Sequence, residues 1–284
     1  MDTEKIDLYA SLGIERKGEK GGYLSCYRHK DLSPEMGVGK VRPAMLVIPG
    51  GGYAFVSLRE GEPIALQYFA QGFDCFVLDY DIAPHRHYPV QILQAGMAMM
   101  FLRRNADKLC LDGEHIAAIG FSAGGHLCGC ISLLWDDPAL QAAFGKDCEL
   151  VRPDASVYSY AVVSSGEHIS HGGSFDNFCA DVVNREDYSL EKKVRPSAKP
   201  SFLWANTEDS CVPVENSLLL YAALHKAGVP VEMHIYEKGW HGMSTLDENV
   251  FSEDVSDPMF AHIRSWLPLS FEFLKAHGFV VKNA

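Results

Sequence analysis

A chain of 284 residues, 47% hydrophobic and 22% charged, has a globular composition and length for one large α/β domain or two small ones. Its formal net charge of -12 argues against nucleic acid or an anionic membrane surface as partner and suits an uncharged substrate. No apolar run reaches membrane-span length, and the acidic start MDTEKIDLYASLG lacks the basic end and apolar core of a signal peptide, so a cytoplasmic location is expected.

The predicted elements follow one another as alternating strands and helices. Residues 23–29 read as an early strand, and 44–48 (AMLVI) as a strand buried on both faces, ending in Pro49-Gly50-Gly51-Gly52-Tyr53. A helix over 62–71 closes at Gly72; a strand over 75–78 ends in Asp79-Tyr80-Asp81; a helix over 90–108 begins after Pro89. The apolar run 116–119 stops at Gly120-Phe121-Ser122-Ala123-Gly124, and a helix-compatible stretch covers 127–135. Residues 155–163 are strand-like, whereas 164–199 are irregular and polar, a small excursion beside the strand ends. Strands over 200–205 and 231–236 enclose a helix over 214–227, and 258–277 is a closing helical region that Pro268 kinks or divides. This alternation predicts an α/β fold with a mostly parallel sheet and helices on both faces. With no repeat, low-complexity tract or long linker, residues 1–284 are expected to form a single domain carrying a small cap-like insertion at about 164–199.

The eight cysteines are scattered, and Cys75, Cys128 and Cys130 sit in apolar segments, so they read as reduced core residues. Cys128 and Cys130 are too close together in a helix-compatible stretch to suggest a zinc site, so no metal is expected.

The strand, sharp turn and helix around Ser122 form a nucleophile elbow. Its hydroxyl must project from a tight turn, and glycines at 120 and 124 let strand and helix approach without a Cβ clash. A serine needs a base, and the base an orienting carboxylate; at strand ends in this architecture the order is serine, acid, histidine. His241, between glycines in Gly239-Trp240-His241-Gly242, is the expected base, and Asp209 the expected acid, with Glu208 as runner-up. The glycine run suits backbone donors for an oxyanion, so Gly51, Gly52 and Ala123 are the expected oxyanion hole. A phosphate loop is disfavoured because no Lys-Ser/Thr pair follows. Tyr53 and Phe55 after the oxyanion loop, Phe121 before the nucleophile and Trp240 before the base are expected to crowd the substrate pocket and favour short acyl groups. His126, four residues after the nucleophile, should turn toward the body of the domain. His85, His87, His168 and His171 are candidates for lining the cleft, against a solvated loop as the plainer reading.

The segments PGGGY at 49–53, DYDIAP at 79–84, GFSAGGHL at 120–127, TEDSCVP at 207–213 and EKGWHG at 237–242 stand in the order of a known family. The chain resembles an α/β-hydrolase esterase of the hormone-sensitive-lipase-like type and, more narrowly, the small bacterial carbohydrate acetyl (xylan) esterases. The resemblance implies an α/β-hydrolase fold, the triad Ser122, Asp209 and His241, and ester hydrolysis through an acyl-enzyme without a cofactor. It implies a small-molecule ester as substrate, an acetylated sugar or oligosaccharide, with homo-oligomerisation left open. One departure is Pro49, where the lipase-like pattern has histidine; proline is expected to fix the loop through its restricted φ. The alternative is a serine peptidase of the prolyl-oligopeptidase-like type, which shares the elbow and the Asp209–Pro213 turn. A binding-only protein of this fold would normally lack a triad member, and none is missing.

Overall fold

The computed structural model describes residues 1–284. Nine strands make one sheet: β1 (Asp2–Asp7), β2 (Tyr23–Arg28), β3 (Lys40–Ile48), β4 (Asp74–Asp79), β5 (Leu111–Phe121), β6 (Ala155–Ser159), β7 (Ser201–Asn206), β8 (Val231–Tyr236) and β9 (Lys282–Asn283). Their spatial order is β1-β2-β4-β3-β5-β6-β7-β8, with β9 antiparallel on the start of β3. Neighbours from β4 through β8 run parallel, and β1 and β2 are antiparallel additions at one edge.

Period-two alternation sends the central strands' side chains into two separate cores. Ala44, Leu46 and Ile48 of β3 join Ile116 and Ala118 of β5 in one. Met45 and Val47 join Ala117, Ile119 and Phe121 in the other. Both faces are covered, which is why these strands read as unbroken apolar runs. Helices Val90–Arg104, Ala123–Leu133 and Glu215–Lys226 pack on the first face. Helices Glu62–Ala70, Pro258–Arg264 and Trp266–Ala276 close the second, where Trp266 stacks on Trp204 at 4.7 Å between ring centroids. No helix is long and apolar enough to cross a membrane.

Several boundaries differ from the sequence reading. The helix expected over 90–108 breaks at Asn105, whose Nδ2 donates to the Phe101 carbonyl, and resumes as Ala106–Leu109. The closing region divides at Ser265, so Pro268 falls in the first turn of the second helix, where its missing N–H is no loss. β6 stops at Ser159 because Tyr160, at φ 36°, turns the chain out of the sheet. Within 164–199 lie a helix, Gly172–Cys179, and two 3-10 turns, Arg185–Tyr188 and Leu190–Lys192. Asn216 anchors this excursion: its Oδ1 accepts from the N–H groups of Val163 and Ser164, and its Nδ2 donates to the Ile169 carbonyl.

Candidate active site

The elbow is built by close backbone approach. Ser122 adopts φ 51° and ψ -120°, a conformation that non-glycine residues rarely occupy. A Cβ at Gly120 would lie 2.2 Å from the Gly124 carbonyl oxygen, and one at Gly124 would lie 2.2 Å from that of Ile48. The two flanking glycines therefore let the helix start press against the ends of β5 and β3. The Ser122 N–H donates to the Ser159 carbonyl, and its own carbonyl accepts from His126 and Val162, locking the turn.

Two loops from neighbouring strand ends bring the partners to this serine. After β7, the Oδ1 of Asp209 accepts from the N–H groups of Cys211 and Val212, both at 2.9 Å, an Asx-type turn that aims the other oxygen. That Oδ2 accepts from His241 Nδ1 at 2.7 Å, and the Asp209 side chain is fully buried. His241 follows β8 in a turn fixed by Asn206, whose Nδ2 donates to the Trp240 carbonyl. Its Nε2 lies 2.8 Å from Ser122 Oγ. With Nδ1 donating to the carboxylate, Nε2 is free to accept the serine proton. Glu208 points away, into an exposed ion pair with Lys238 at 2.9 Å.

The N–H groups of Gly51, Gly52 and Ala123 have no acceptor within the chain, and Gly51 and Gly52 line the cavity beside Ser122. Gly51 sits at φ 121°, and a Cβ there would meet the Phe55 carbonyl oxygen at 2.1 Å. The loop is held by side chains to which the sequence assigns no such role, although Tyr80 lies in the DYDIAP segment. Tyr80 donates its hydroxyl proton to the Pro49 carbonyl at 2.7 Å, and Asn177 Nδ2 donates to that of Gly52 at 2.8 Å. Glu60 Oε2 accepts from the Gly50 N–H at 2.8 Å, and its Oε1 accepts from the Tyr160 hydroxyl at 2.7 Å. Hydrogen bonds at 49, 50 and 52, and not the φ of Pro49 alone, keep this loop in shape. Burial, with the Glu60 carboxylate beside it, holds the Tyr160 phenol well above its usual range, so it stays protonated and donates. The Tyr160 ring also stands edge-on to His241, 5.0 Å between centroids.

These groups surround a cavity of about 650 Å³, within the usual range for small-molecule sites. Of the four rings expected there, its walls include Phe55 but not Tyr53, Phe121 or Trp240. Phe121 is wholly buried because alternation along β5 turns it into one core, Tyr53 is turned into the other by a loop backbone at φ 57°, and Trp240 leans outward onto Phe251 and Phe260. The rim is formed by Phe55, as expected, and Leu58, with His171 and Asn177 contributed by the excursion. His171 caps its helix through Nδ1, which accepts from the Ser174 N–H. Burial, and then the neighbouring His241, lower its pKa, which keeps the ring neutral.

His126 is structural, as its spacing implied. It lies in the core, where Nδ1 accepts from the Tyr53 hydroxyl at 2.8 Å and Nε2 donates to the Tyr188 carbonyl at 2.9 Å. Burial lowers its pKa to about 4. The unfolded imidazole takes up a proton near pH 6.5, which the folded ring refuses until about pH 4. The stability linked to this group is thus complete above pH 6.5 and falls away as pH drops toward 4, by about 3 kcal/mol in all. Urea unfolding at pH 7 and pH 4.5 should show this slope in the wild type and its absence in His126→Gln; equal slopes would refute the assignment.

Comparison with known proteins adds to the geometry. Residues 31–164 match a family described as BD-FAE, and residues 99–257 match the prolyl oligopeptidase family. Endo-1,4-beta-xylanase B of Butyrivibrio fibrisolvens is 36% identical over 219 residues, which are 74% of this chain and 34% of the xylanase. Acetylxylan esterase of Xylanibacter ruminicola is 30% identical over 207 residues, 70% of this chain and 40% of that protein. The chain therefore spans well under half the length of either relative. Among solved structures, the acetyl ester-xyloside bifunctional hydrolase of Caldicellulosiruptor lactoaceticus superposes with a TM-score of 0.81 at 29% identity, covering 98% of this chain and 97% of its own.

Proposed function

Because the chain belongs to the prolyl oligopeptidase family of α/β-hydrolases, among relatives named as esterases, we propose that it is a serine carboxylesterase cleaving short acyl, chiefly acetyl, esters of carbohydrates. The observation that carries the reading is the continuous chain from Ser122 Oγ through His241 to Asp209. Ser122 Oγ attacks the ester carbonyl while its proton passes to His241 Nε2, and the carbonyl oxygen becomes an oxyanion facing the N–H groups of Gly51, Gly52 and Ala123. Collapse breaks the bond to the sugar oxygen, which takes the proton from Nε2 and leaves as the alcohol. Water then gives a proton to His241 and attacks the acyl-serine; the proton returns to Ser122 Oγ as the carboxylic acid departs. Asp209 holds the ring and balances the imidazolium in both halves. Residues 164–199 act as a small cap on one catalytic domain, supported by the entry of His171 and Asn177 into the cavity wall.

The acetyl preference is supported by the names of the relatives and is tested by acyl length. An open acyl pocket would contribute roughly 0.8 kcal/mol, about fourfold in kcat/KM, for each added methylene. Across p-nitrophenyl esters, kcat/KM is expected to peak between acetate and butyrate. A maximum at octanoate or beyond would remove the short-acyl assignment. The prolyl oligopeptidase match favours amide cleavage as a second reading; a p-nitroanilide hydrolysed as fast as the matching ester would establish it.

A further inference from the structure

The catalytic cavity is bounded on one side by Phe55 and Val56, and a second groove of about 420 Å³ begins on the far side of the same two residues. Lys20, Asp79, Ile82 and His85 complete much of its wall. Phe55 is 60% exposed, a large aromatic ring left in solvent on the ridge between two depressions. The ridge is firmly held. The Phe55 and Ser57 N–H groups donate to the Gly51 and Gly50 carbonyls, and the Ala83 N–H donates to that of Tyr53. The oxyanion loop, the ridge and the groove floor are thus one hydrogen-bonded unit, so a ligand lying on Phe55 has a set position relative to Ser122.

We propose that this groove binds the sugars adjoining the acetylated one, with Phe55 as the stacking platform, so that the substrate is an uncharged oligosaccharide and not an acetylated monosaccharide. This rests on the esterase reading above. A pyranose presents an apolar C–H face and a polar hydroxyl rim, which match an exposed ring flanked by charged and imidazole side chains. Lys20 stands with Asp79 and Asp81 in the groove. Asp79 is paired with Lys5, and the Asp81 carboxylate accepts from the Lys20 and Gly21 N–H groups and Gln94 Nε2, so both carboxylates are already partnered, which suits hydroxyl groups better than an ionic ligand. The main cavity already has the volume of a complete small-molecule site, so an acetyl group and one sugar do not need the groove.

The test uses acetylated xylose, xylobiose and xylotetraose, with each kcat/KM divided by that for p-nitrophenyl acetate. The ratio should rise at least tenfold from the monosaccharide to the tetrasaccharide. His85→Trp, which fills the groove from a wall the catalytic cavity does not share, should cancel that rise. Phe55→Ala should lower the tetrasaccharide ratio about tenfold, mainly through KM. A ratio independent of chain length, or a rise that survives His85→Trp, overturns the proposal. Calorimetric titration of the Ser122→Ala protein with unacetylated xylotetraose separates the two readings. Binding that His85→Trp abolishes supports the groove even if the wild type cleaves no ester, a failure that would belong to the esterase reading. Absence of binding overturns the groove and leaves that reading standing.

Discussion

Ser122→Ala is expected to lower kcat on p-nitrophenyl acetate by about 10⁶, with the protein still folded. The size follows from the unit the three side chains form. His241 Nε2 has Ser122 Oγ at 2.8 Å as its partner, so without that oxygen the base has no nucleophile to activate. What survives is binding and the oxyanion donors, worth roughly 10³ to 10⁴ over water. Stability should hardly move, because the backbone bonds that shape the elbow do not involve the hydroxyl. Initial rates on purified protein, with a thermal melt as control, decide it. A folded variant with a tenth of wild-type activity would exclude Ser122 as nucleophile.

Asp209→Asn should cost about 10⁴ in kcat, while Glu208→Gln should change it less than threefold. The geometry makes the asparagine especially harmful. Two backbone N–H groups, of Cys211 and Val212, converge on the Oδ1 position, so an amide must place its oxygen there. Its NH₂ then faces His241 Nδ1 as a donor, and the imidazole has to carry its proton on Nε2. A ring in that tautomer cannot accept the proton of Ser122. Glu208 is about half exposed and paired with Lys238 away from His241, so its loss is felt at the surface. Single-turnover acylation rates for both variants give the ranking; the reverse order would move the acid by one residue.

Much of this site is legible from local sequence because its elements are set by short-range sterics. The glycines around Ser122 mark places where backbone must pass close to backbone, those around His241 a turn at positive φ, and the apolar runs at 44–48 and 116–119 strands covered on both sides. Strand β1 carries no such signal, for it lies at the sheet edge with Asp2 to Lys5 exposed. Phe121 shows the limit of sequence adjacency: the strand residue just before the nucleophile points into the core, while Tyr53 and Trp240 are turned away from the cavity by their loops. Glu60 and Tyr160 are invisible for a different reason. They meet across 100 positions, and nothing local says that a glutamate in a short turn is buried.

That buried glutamate ties together parts of the chain that would otherwise be free to vary independently. One oxygen of Glu60 answers to the oxyanion loop and the other to Tyr160, whose ring borders His241. Loss of the Tyr160 hydroxyl strands an oxygen of the same carboxylate that holds Gly50, at a cost on the order of 1–3 kcal/mol. An inherited change on the histidine side is therefore felt on the oxyanion side through this carboxylate. Descendants of this sequence can drift at position 60 or at position 160 only in step, and a substitution harmless beside one partner becomes damaging beside another.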